Sequence, residues 1–229
     1  MLEIPLLLVA IVALALIFDY TNGAHDSANA IATIVSTKVL SPVAAVCMAA
    51  ALNLVGAFLG TEVAHTIGGS IVNVEMMNGS QTLLLAALGG AIAWNVLTWF
   101  LGLPSSSSHA LIGGLMGAAV AHAGWHALNY GPILDKILLP LLLSPLAGFV
   151  AGYALISLLA RLLVRVRPRP ANGAFRKLQI LSSAFMAVSH GMNDAQKTMG
   201  LITLALVLFG KIPHFDVPLW VRLACSLAM

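Results

Sequence analysis

The sequence has very few charged residues for its length. Its 229 residues include 11 Lys and Arg and 8 Asp and Glu, so charged residues make up 8% of the chain, whereas 60% are hydrophobic. A typical soluble domain carries about 25% charged residues, and here no Asp, Glu, Lys or Arg lies between Met76 and Leu134. A water-facing surface cannot be built from such a stretch. The composition therefore excludes a soluble domain and gives no support to a nucleic-acid-binding protein.

Cysteine is also scarce, and the first apolar segment lacks the marks of a cleaved signal. Cys47 and Cys225 lie in separate apolar stretches, so they predict neither a disulfide framework nor a metal site. The apolar run from Ile4 to Phe18 follows Glu3 instead of a basic segment, and no small-residue cleavage site follows it. We therefore expect this run to remain as a membrane segment.

The basic residues are concentrated in one short region. Residues 161–177 contain no acidic residue, and the positive-inside rule places such a region in the cytoplasm. Its prolines and its Asn-Gly pair indicate an irregular linker. This region divides residues 1–160, a first transmembrane repeat, from residues 178–229, the start of a second, and an inverted pair of repeats would put the N-terminus outside. Its basic residues are Arg161, Arg165, Arg167, Arg169, Arg176 and Lys177.

The apolar runs differ in length. Leu83–Leu103 and Leu138–Ala160 are long enough to cross a hydrocarbon core of about 30 Å as helices, and Val43–Leu59 is marginal. Three other runs are too short for a full crossing, and we expect half-helices or re-entrant segments there. They are residues 110–121, 178–188 and 199–209.

Polar clusters adjoin the apolar runs. They occupy residues 19–30, 104–109 and 189–198. Interrupted hydrophobic segments beside polar residues are typical of a transporter's binding site. Irregular backbone at membrane depth needs surrounding protein or a watery cavity to satisfy its polar groups. The pattern therefore predicts broken helices around an internal site.

Two of the clusters can be superimposed on one another. Gly23 corresponds to Gly191 and Asp26 to Asp194, and the basic region lies between the two clusters. Each cluster has a Gly-x-(His/Asn)-Asp pattern after an apolar run. A repeated membrane segment of this kind favours two related halves.

These motifs resemble those of a known family. Residues 22–30 read NGAHDSANA and resemble the Gly-x-(Asn/His)-Asp-x-Ala-Asn-Ala signature of the PiT inorganic phosphate transporter family. Residues 190–197 resemble its partner in the second repeat, and residues 104–109, PSSSSH, resemble the family's Ser/Thr-rich hairpin loop. The resemblance extends over essentially the whole chain, with three motifs in the family's order.

The resemblance implies both a fold and a function. The fold would be all-α, a polytopic transmembrane helical bundle with inverted repeats and re-entrant or broken helices. The function would be secondary transport of inorganic phosphate, coupled to sodium or protons and without another cofactor, by a multi-pass protein of the cell (inner) membrane in contact with lipid. The hairpin of a second repeat would fall beyond Met229, so the chain resembles a first repeat and the beginning of a second. Association as a homodimer is left open.

The serine-rich run suits an anion. Four hydroxyls can replace the hydration that phosphate loses, and a helix that begins near Ala110 would place its N-terminal N–H groups and positive dipole end beside them. Lys197 could balance the charge of phosphate or pair with Asp194 on the adjacent turn. The predicted phosphate-binding residues are Ser105, Ser106, Ser107, Ser108, His109 and Lys197.

The acidic motif residues suit a cation. Carboxylates within a membrane are costly and functional by default, and oxygen ligands suit a hard ion such as sodium. Sodium is expected at Asp26, Asn29 and Asp194, with a proton relay through the carboxyl groups as the competing use. The predicted cation-coupling residues are Asn22, His25, Asp26, Asn29, Asn193 and Asp194.

Other functions remain alternatives at this point. A sulfate permease could use the same scaffold, since sulfate is also a tetrahedral oxyanion. A chain with an incomplete second repeat could be a non-transporting membrane subunit. A membrane hydrolase is disfavoured, because the serines do not form a Gly-x-Ser-x-Gly elbow and nothing indicates a base that activates one of them.

Overall fold

The chain folds into a bundle of helices. The computed structural model describes residues 5–73, 81–166 and 168–229. Within these ranges there is no strand, only an isolated bridge between Val72 and Leu128. The helices are α1 Leu6–Ser36, α2 Pro42–Ala57, α3 Glu62–Gly69, α4 Thr82–Phe100, α5 Ser107–Ala123, α6 Tyr130–Ile133, α7 Leu139–Leu163, α8 Pro168–Leu208 and α9 Leu219–Ala228. A short 3₁₀ turn, Trp125–Ala127, precedes α6, and a π turn, Leu134–Leu138, joins α6 to α7.

The longest helix, α8, lies at the centre of the bundle. It packs against α1, α2, α3 and α9, while α4 and α5 pair with each other and α4 also contacts α1. Residues 194–206 of α8 are buried without interruption. The second half of the polar cluster on this helix, residues 194–198, is therefore enclosed by other helices.

In the described part of the chain, three helices are long and apolar enough to cross a membrane. They are α1, α4 and the continuous stretch Tyr130–Leu163 that ends with α7. The bent pair of α2 and α3, with an angle of 69° at the break, adds a fourth if it counts as one span. In α7, which is described throughout, no residue is buried, so its leucine-rich surface is suited to lipid. The all-α membrane architecture expected from the sequence is confirmed.

The positions of the helix breaks differ from expectation. The helices α1 and α8 run without interruption through residues 19–30 and 189–198, where broken helices were expected. The prediction was wrong there because Asn22 of α1 donates to Asp194 of α8, which also pairs with Lys197 within α8, so these polar groups are satisfied while the helical backbone stays intact. The break lies instead between α2 and α3, and a separate hairpin joins α4 to α5.

The basic region is also more regular than expected. The helix α7 ends at Leu163 and α8 already begins at Pro168, so most of residues 161–177 is helical and the predicted irregular linker is wrong. Proline is compatible with the first turn of a helix, because the first N–H groups have no partner within the helix. The proline pair therefore marks the start of α8.

Glycines allow the central helices to approach closely. A Cβ on Gly191 of α8 would overlap the backbone carbonyl of Asn53 in α2, and a Cβ on Gly56 of α2 would overlap the carbonyl of Val188. The motif glycine of α8 therefore serves helix packing. By contrast, a Cβ on Gly117 of α5 would meet no described atom within 4 Å.

We expect Gly191→Ala to destabilise the protein by about 1–3 kcal/mol, the usual effect of overpacking a close contact. The neighbouring group is backbone and cannot move aside as a side chain can. Gly117→Ala is the matched control and should not destabilise the protein, because an added Cβ meets open space there and alanine is favoured over glycine inside a helix by about 1 kcal/mol. Thermal unfolding of the purified protein in detergent measures both variants, and equal midpoints for Gly191→Ala and the unaltered chain would contradict the close contact between α2 and α8.

Candidate functional site

A cavity of about 1020 Å³ opens between α1, α8 and the N-terminus of α5. Its polar wall comes from all three polar clusters of the sequence, and its apolar wall comes from the first half of α8. The structure thus brings most of the predicted site residues together. Those lining the cavity are Asp26, Asn29, Ser105, Ser106, Ser108, Asn193, Asp194 and Lys197.

Helical spacing explains how α1 and α8 present these side chains. Asp26 and Asn29 are three residues apart in α1, as are Asp194 and Lys197 in α8, so each pair lies on one face of its helix. His190 lies one turn before Asp194 and also lines the cavity. Sequence reasoning gave His190 no role, although its spacing of four residues from Asp194 was the signal that could have identified it.

The acidic groups of the two helices converge. One ligand atom from each of Asp26, His190 and Asp194 lies within 4.8 Å of the others, a spacing that could hold a cation. His190 Nε2 lies 3.1 Å from Asp194 Oδ2, and His25 Nδ1 lies 3.2 Å from Asp26 Oδ1. Of the residues predicted for sodium, Asp26 and Asp194 are in this cluster, whereas Asn29 is an exposed residue of the cavity wall.

A buried serine connects α5 to the acidic cluster. The Ser107 hydroxyl contacts Asn22 Oδ1 and lies 3.1 Å from Asp26 Oδ2, so its single proton can be donated to either acceptor. Asn22 Nδ2 in turn donates to Asp194 Oδ2 at 3.2 Å. Neither Ser107 nor Asn22 lines the cavity, so both position the carboxylates from behind. The predicted direct contact of Ser107 with phosphate is not supported by this placement.

The cavity contains a buried ion pair. Lys197 Nζ lies 2.7 Å from Asp194 Oδ1, and the two residues are only 5% and 8% exposed. The sequence left open whether Lys197 would pair with Asp194 or balance phosphate, and the structure shows the pair. Because Lys197 also lines the cavity, its charge is within reach of an anion there.

The serine-rich run forms the start of α5. The helix begins at Ser107, and the Ser106 side chain accepts a hydrogen bond from the backbone N–H of His109, so Ser106 is the N-cap. The expected placement of the serines at a helix N-terminus is therefore correct, with the helix starting three residues before Ala110. This end of α5 presents unpaired N–H groups and the positive end of the helix dipole to the cavity.

Three of the predicted site residues make contacts other than those expected. His109 is exposed and lines a separate cavity of about 580 Å³ with Trp94, so it is not brought to the main cavity. His25 contacts Asp26 but lines a small pocket beside α4. Asn193 donates to the backbone carbonyl of Ser189 at 2.8 Å, although it also lines the main cavity.

Known proteins with similar sequences share one description. A probable low-affinity inorganic phosphate transporter of Bacillus subtilis is 47% identical over 225 residues, which cover 98% of this chain and 67% of that protein. One of Mycobacterium leprae with the same description is 42% identical over 97% of this chain and 54% of its own length. The chain thus spans between about half and two thirds of these curated relatives. They are transporters and not enzymes, so the comparison gives the hydrolase alternative no support.

A solved structure and a family match agree with this comparison. The structure, described as the sodium-dependent phosphate transporter, superimposes with a TM-score of 0.82 at 21% identity, over 97% of this chain and 73% of that one. This superposition shows that the two chains have similar folds. Residues 22–229 match the phosphate transporter family, PHO4, and the chain therefore belongs to this family.

Proposed function

We propose that the chain transports inorganic phosphate across a membrane together with a cation, through the cavity between α1, α5 and α8. The proposal rests on one observation: a helix N-terminus and a buried lysine line the same cavity. The N-terminus of α5 presents Ser105, Ser106 and Ser108 to the cavity, and Lys197 lies in its wall. Hydroxyls, backbone N–H groups and an ammonium together match the oxygen atoms of phosphate.

The cation would bind beside the anion. Asp26 and Asp194 supply carboxylate oxygens close to one another, and Asn29 supplies an amide oxygen at the edge of the cavity. Oxygen ligands favour sodium, whereas carboxyl groups enclosed by protein can also carry a proton. Either ion would offset the charge of phosphate. Coupling by sodium or protons is therefore part of the proposal.

Phosphate is favoured over sulfate by the same carboxylates. Phosphate keeps a hydroxyl at neutral pH and can donate it to a carboxylate, whereas sulfate has no such donor. Asp26 lines the same cavity as the serines, so an acceptor is available next to the anion. We expect excess sulfate to leave phosphate binding unchanged.

We further propose a multi-pass location in the cell membrane with the basic residues at 161–177 in the cytoplasm.

The contact pattern supports the predicted inverted repeats. Gly23 of α1 packs against the backbone at Met229 after α9, as Gly191 of α8 packs against Asn53 of α2, which is the correspondence expected if α1 and α2 are equivalent to α8 and α9.

The test is phosphate binding by serine variants. We expect Ser105→Ala and Ser108→Ala each to weaken binding about tenfold or more, because a hydrogen bond to a charged group contributes about 1.5–3 kcal/mol. Titration calorimetry with inorganic phosphate on the purified chain measures the affinity. Ser144→Ala is the control, since Ser144 is an exposed residue of α7 away from the cavity. Unchanged affinity in both cavity variants would place the anion elsewhere.

A further inference from the structure

The hairpin between α4 and α5 has a fixed shape. The helix α4 ends in a Schellman motif, a hydrogen-bonded turn that satisfies its last carbonyl groups. In this motif the Leu103 N–H donates to the Thr98 carbonyl at 2.9 Å. The Gly102 N–H donates to the Trp99 carbonyl at 3.1 Å, and Gly102 has a φ of 64°, in the left-handed region that favours glycine. The chain therefore turns back sharply, and Ser105 comes to lie beside α4.

One side chain of α4 reaches this serine. Trp94 Nε1 donates a hydrogen bond to Ser105 Oγ at 3.0 Å. Trp94 lines the separate cavity of about 580 Å³ and does not line the main cavity, whereas Ser105 lines both. Trp94 therefore contacts the candidate phosphate site from the outside, and the function proposed above gives it no task.

The direction of this hydrogen bond decides what Ser105 can do. A hydroxyl group has one proton to donate and two lone pairs that can accept, whereas an indole N–H can only donate. Trp94 must therefore occupy a lone pair of Ser105 Oγ, and the hydroxyl proton is left for another acceptor. Because Ser105 lines the main cavity, that acceptor can be an anion in the cavity.

The next two serines show that the hydroxyl groups differ in their partners. Ser106 Oγ also accepts, from the backbone N–H of His109 at 3.4 Å, so its proton is likewise left to donate. The oxygen atoms around the Ser107 hydroxyl are instead acceptors on α1, among them Asp26 Oδ2 at 3.1 Å. The protein thus directs the Ser107 proton toward α1 and leaves the protons of the two preceding serines to the cavity side.

We propose that Trp94 is a positioning residue for the transported anion, which directs the Ser105 proton into the main cavity and makes this hydroxyl an obligatory donor to phosphate. The inference rests on the proposed function and deepens it. A hydroxyl that already accepts a hydrogen bond is a stronger donor, because neighbouring hydrogen bonds polarise one another. Its orientation is also set before phosphate arrives, which lowers the entropy lost on binding. With one lone pair occupied, Ser105 is a poorer ligand for a cation, which favours an anion at this position.

Titration calorimetry with inorganic phosphate tests the role of Trp94. Trp94→Phe removes the N–H and keeps an aromatic ring, and we expect it to weaken phosphate binding about threefold to tenfold, the usual effect of one lost hydrogen bond. Trp99→Phe is the matched control, since Trp99 is an exposed tryptophan of the same helix that does not line the main cavity. It should bind phosphate like the unaltered chain.

The double variant separates positioning from packing. In a chain that already carries Ser105→Ala, Trp94→Phe should cause no further loss of affinity, because Trp94 acts through the Ser105 hydroxyl. An equal loss in both backgrounds, or no loss from Trp94→Phe where Ser105→Ala does weaken binding, would overturn the inference and leave the proposed function standing. Unchanged affinity in both Ser105→Ala and Ser108→Ala would instead contradict the proposed function.

Ultraviolet resonance Raman spectroscopy gives a second test that needs no tryptophan variant. The indole bands report the strength of hydrogen bonding at the N–H group. Adding inorganic phosphate to the unaltered chain should strengthen the bond of one indole N–H, because Ser105 Oγ becomes a better acceptor when its proton is donated to phosphate. The shift should be absent from Ser105→Ala. An equal shift in Ser105→Ala, or none in the unaltered chain with phosphate bound, would overturn the inference.

Discussion

Lys197→Met is expected to destabilise the protein by about 3–5 kcal/mol, the usual result of removing one partner from a buried ion pair. The variant leaves the Asp194 carboxylate almost fully buried without the ammonium that lies 2.7 Å from it. The hydrogen bond from Asn22 and the nearby His190 ring would remain, but neither replaces a full positive charge. Unfolding of the purified chain in detergent, by heat or by denaturant, measures the effect.

The matched control is Lys177→Met, which removes an exposed lysine from the same helix. Exposed charges contribute little to stability, about 0–1 kcal/mol, so this variant should unfold like the unaltered chain. The double variant Lys197→Met with Asp194→Asn should recover part of the loss, because no unpaired charge remains. An unfolding midpoint for Lys197→Met that equals that of the unaltered chain would show that the buried pair does not stabilise the fold.

Asp26→Asn is expected to abolish cation-driven phosphate uptake while the protein still folds. The change removes a negative charge from the cavity and preserves the size of the side chain. The oxygen that faces Ser107 can remain an acceptor at 3.1 Å. The fold is thereby preserved, whereas the cluster with His190 and Asp194 loses a carboxylate ligand.

Radiolabelled phosphate uptake into proteoliposomes, with sodium and proton gradients imposed separately, measures this effect. Asp135→Asn is the control, since Asp135 is exposed at the π turn before α7. Uptake by Asp26→Asn should fall to the level of protein-free vesicles under either gradient. Normal uptake in this variant would show that coupling does not require Asp26.

Much of the architecture could be predicted from composition and run length. The scarcity of charge excludes a soluble domain, and the long runs in α4 and α7 are close to the observed helices because a bilayer of known thickness sets the length of a span. The serine run at a helix N-terminus could also be predicted, since capping depends on neighbouring residues. These features depend on local sequence and on the solvent that surrounds it.

The continuity of α8 could not be predicted in this way. A polar stretch between two short apolar runs predicts a broken helix when each side chain is considered alone. In the bundle, Asp194 bonds to Lys197 within the helix and to Asn22 of α1. The polar groups are therefore satisfied without a break in the backbone. The sequence alone does not show this, because it depends on how α8 packs against α1.

Hydropathy and motif spacing were enough to establish the membrane class, the family motifs and the polar residue types of the candidate site, because they depend on the order of residues in the chain. Which of these residues share a cavity became clear only from the packing of the helices. This packing added His190 to the acidic cluster and placed Ser107 and Asn22 behind the cavity wall. The physical reason is that burial and pairing between α1, α5 and α8 depend on helix rotation and close approach, which arise from contacts between residues far apart in the chain.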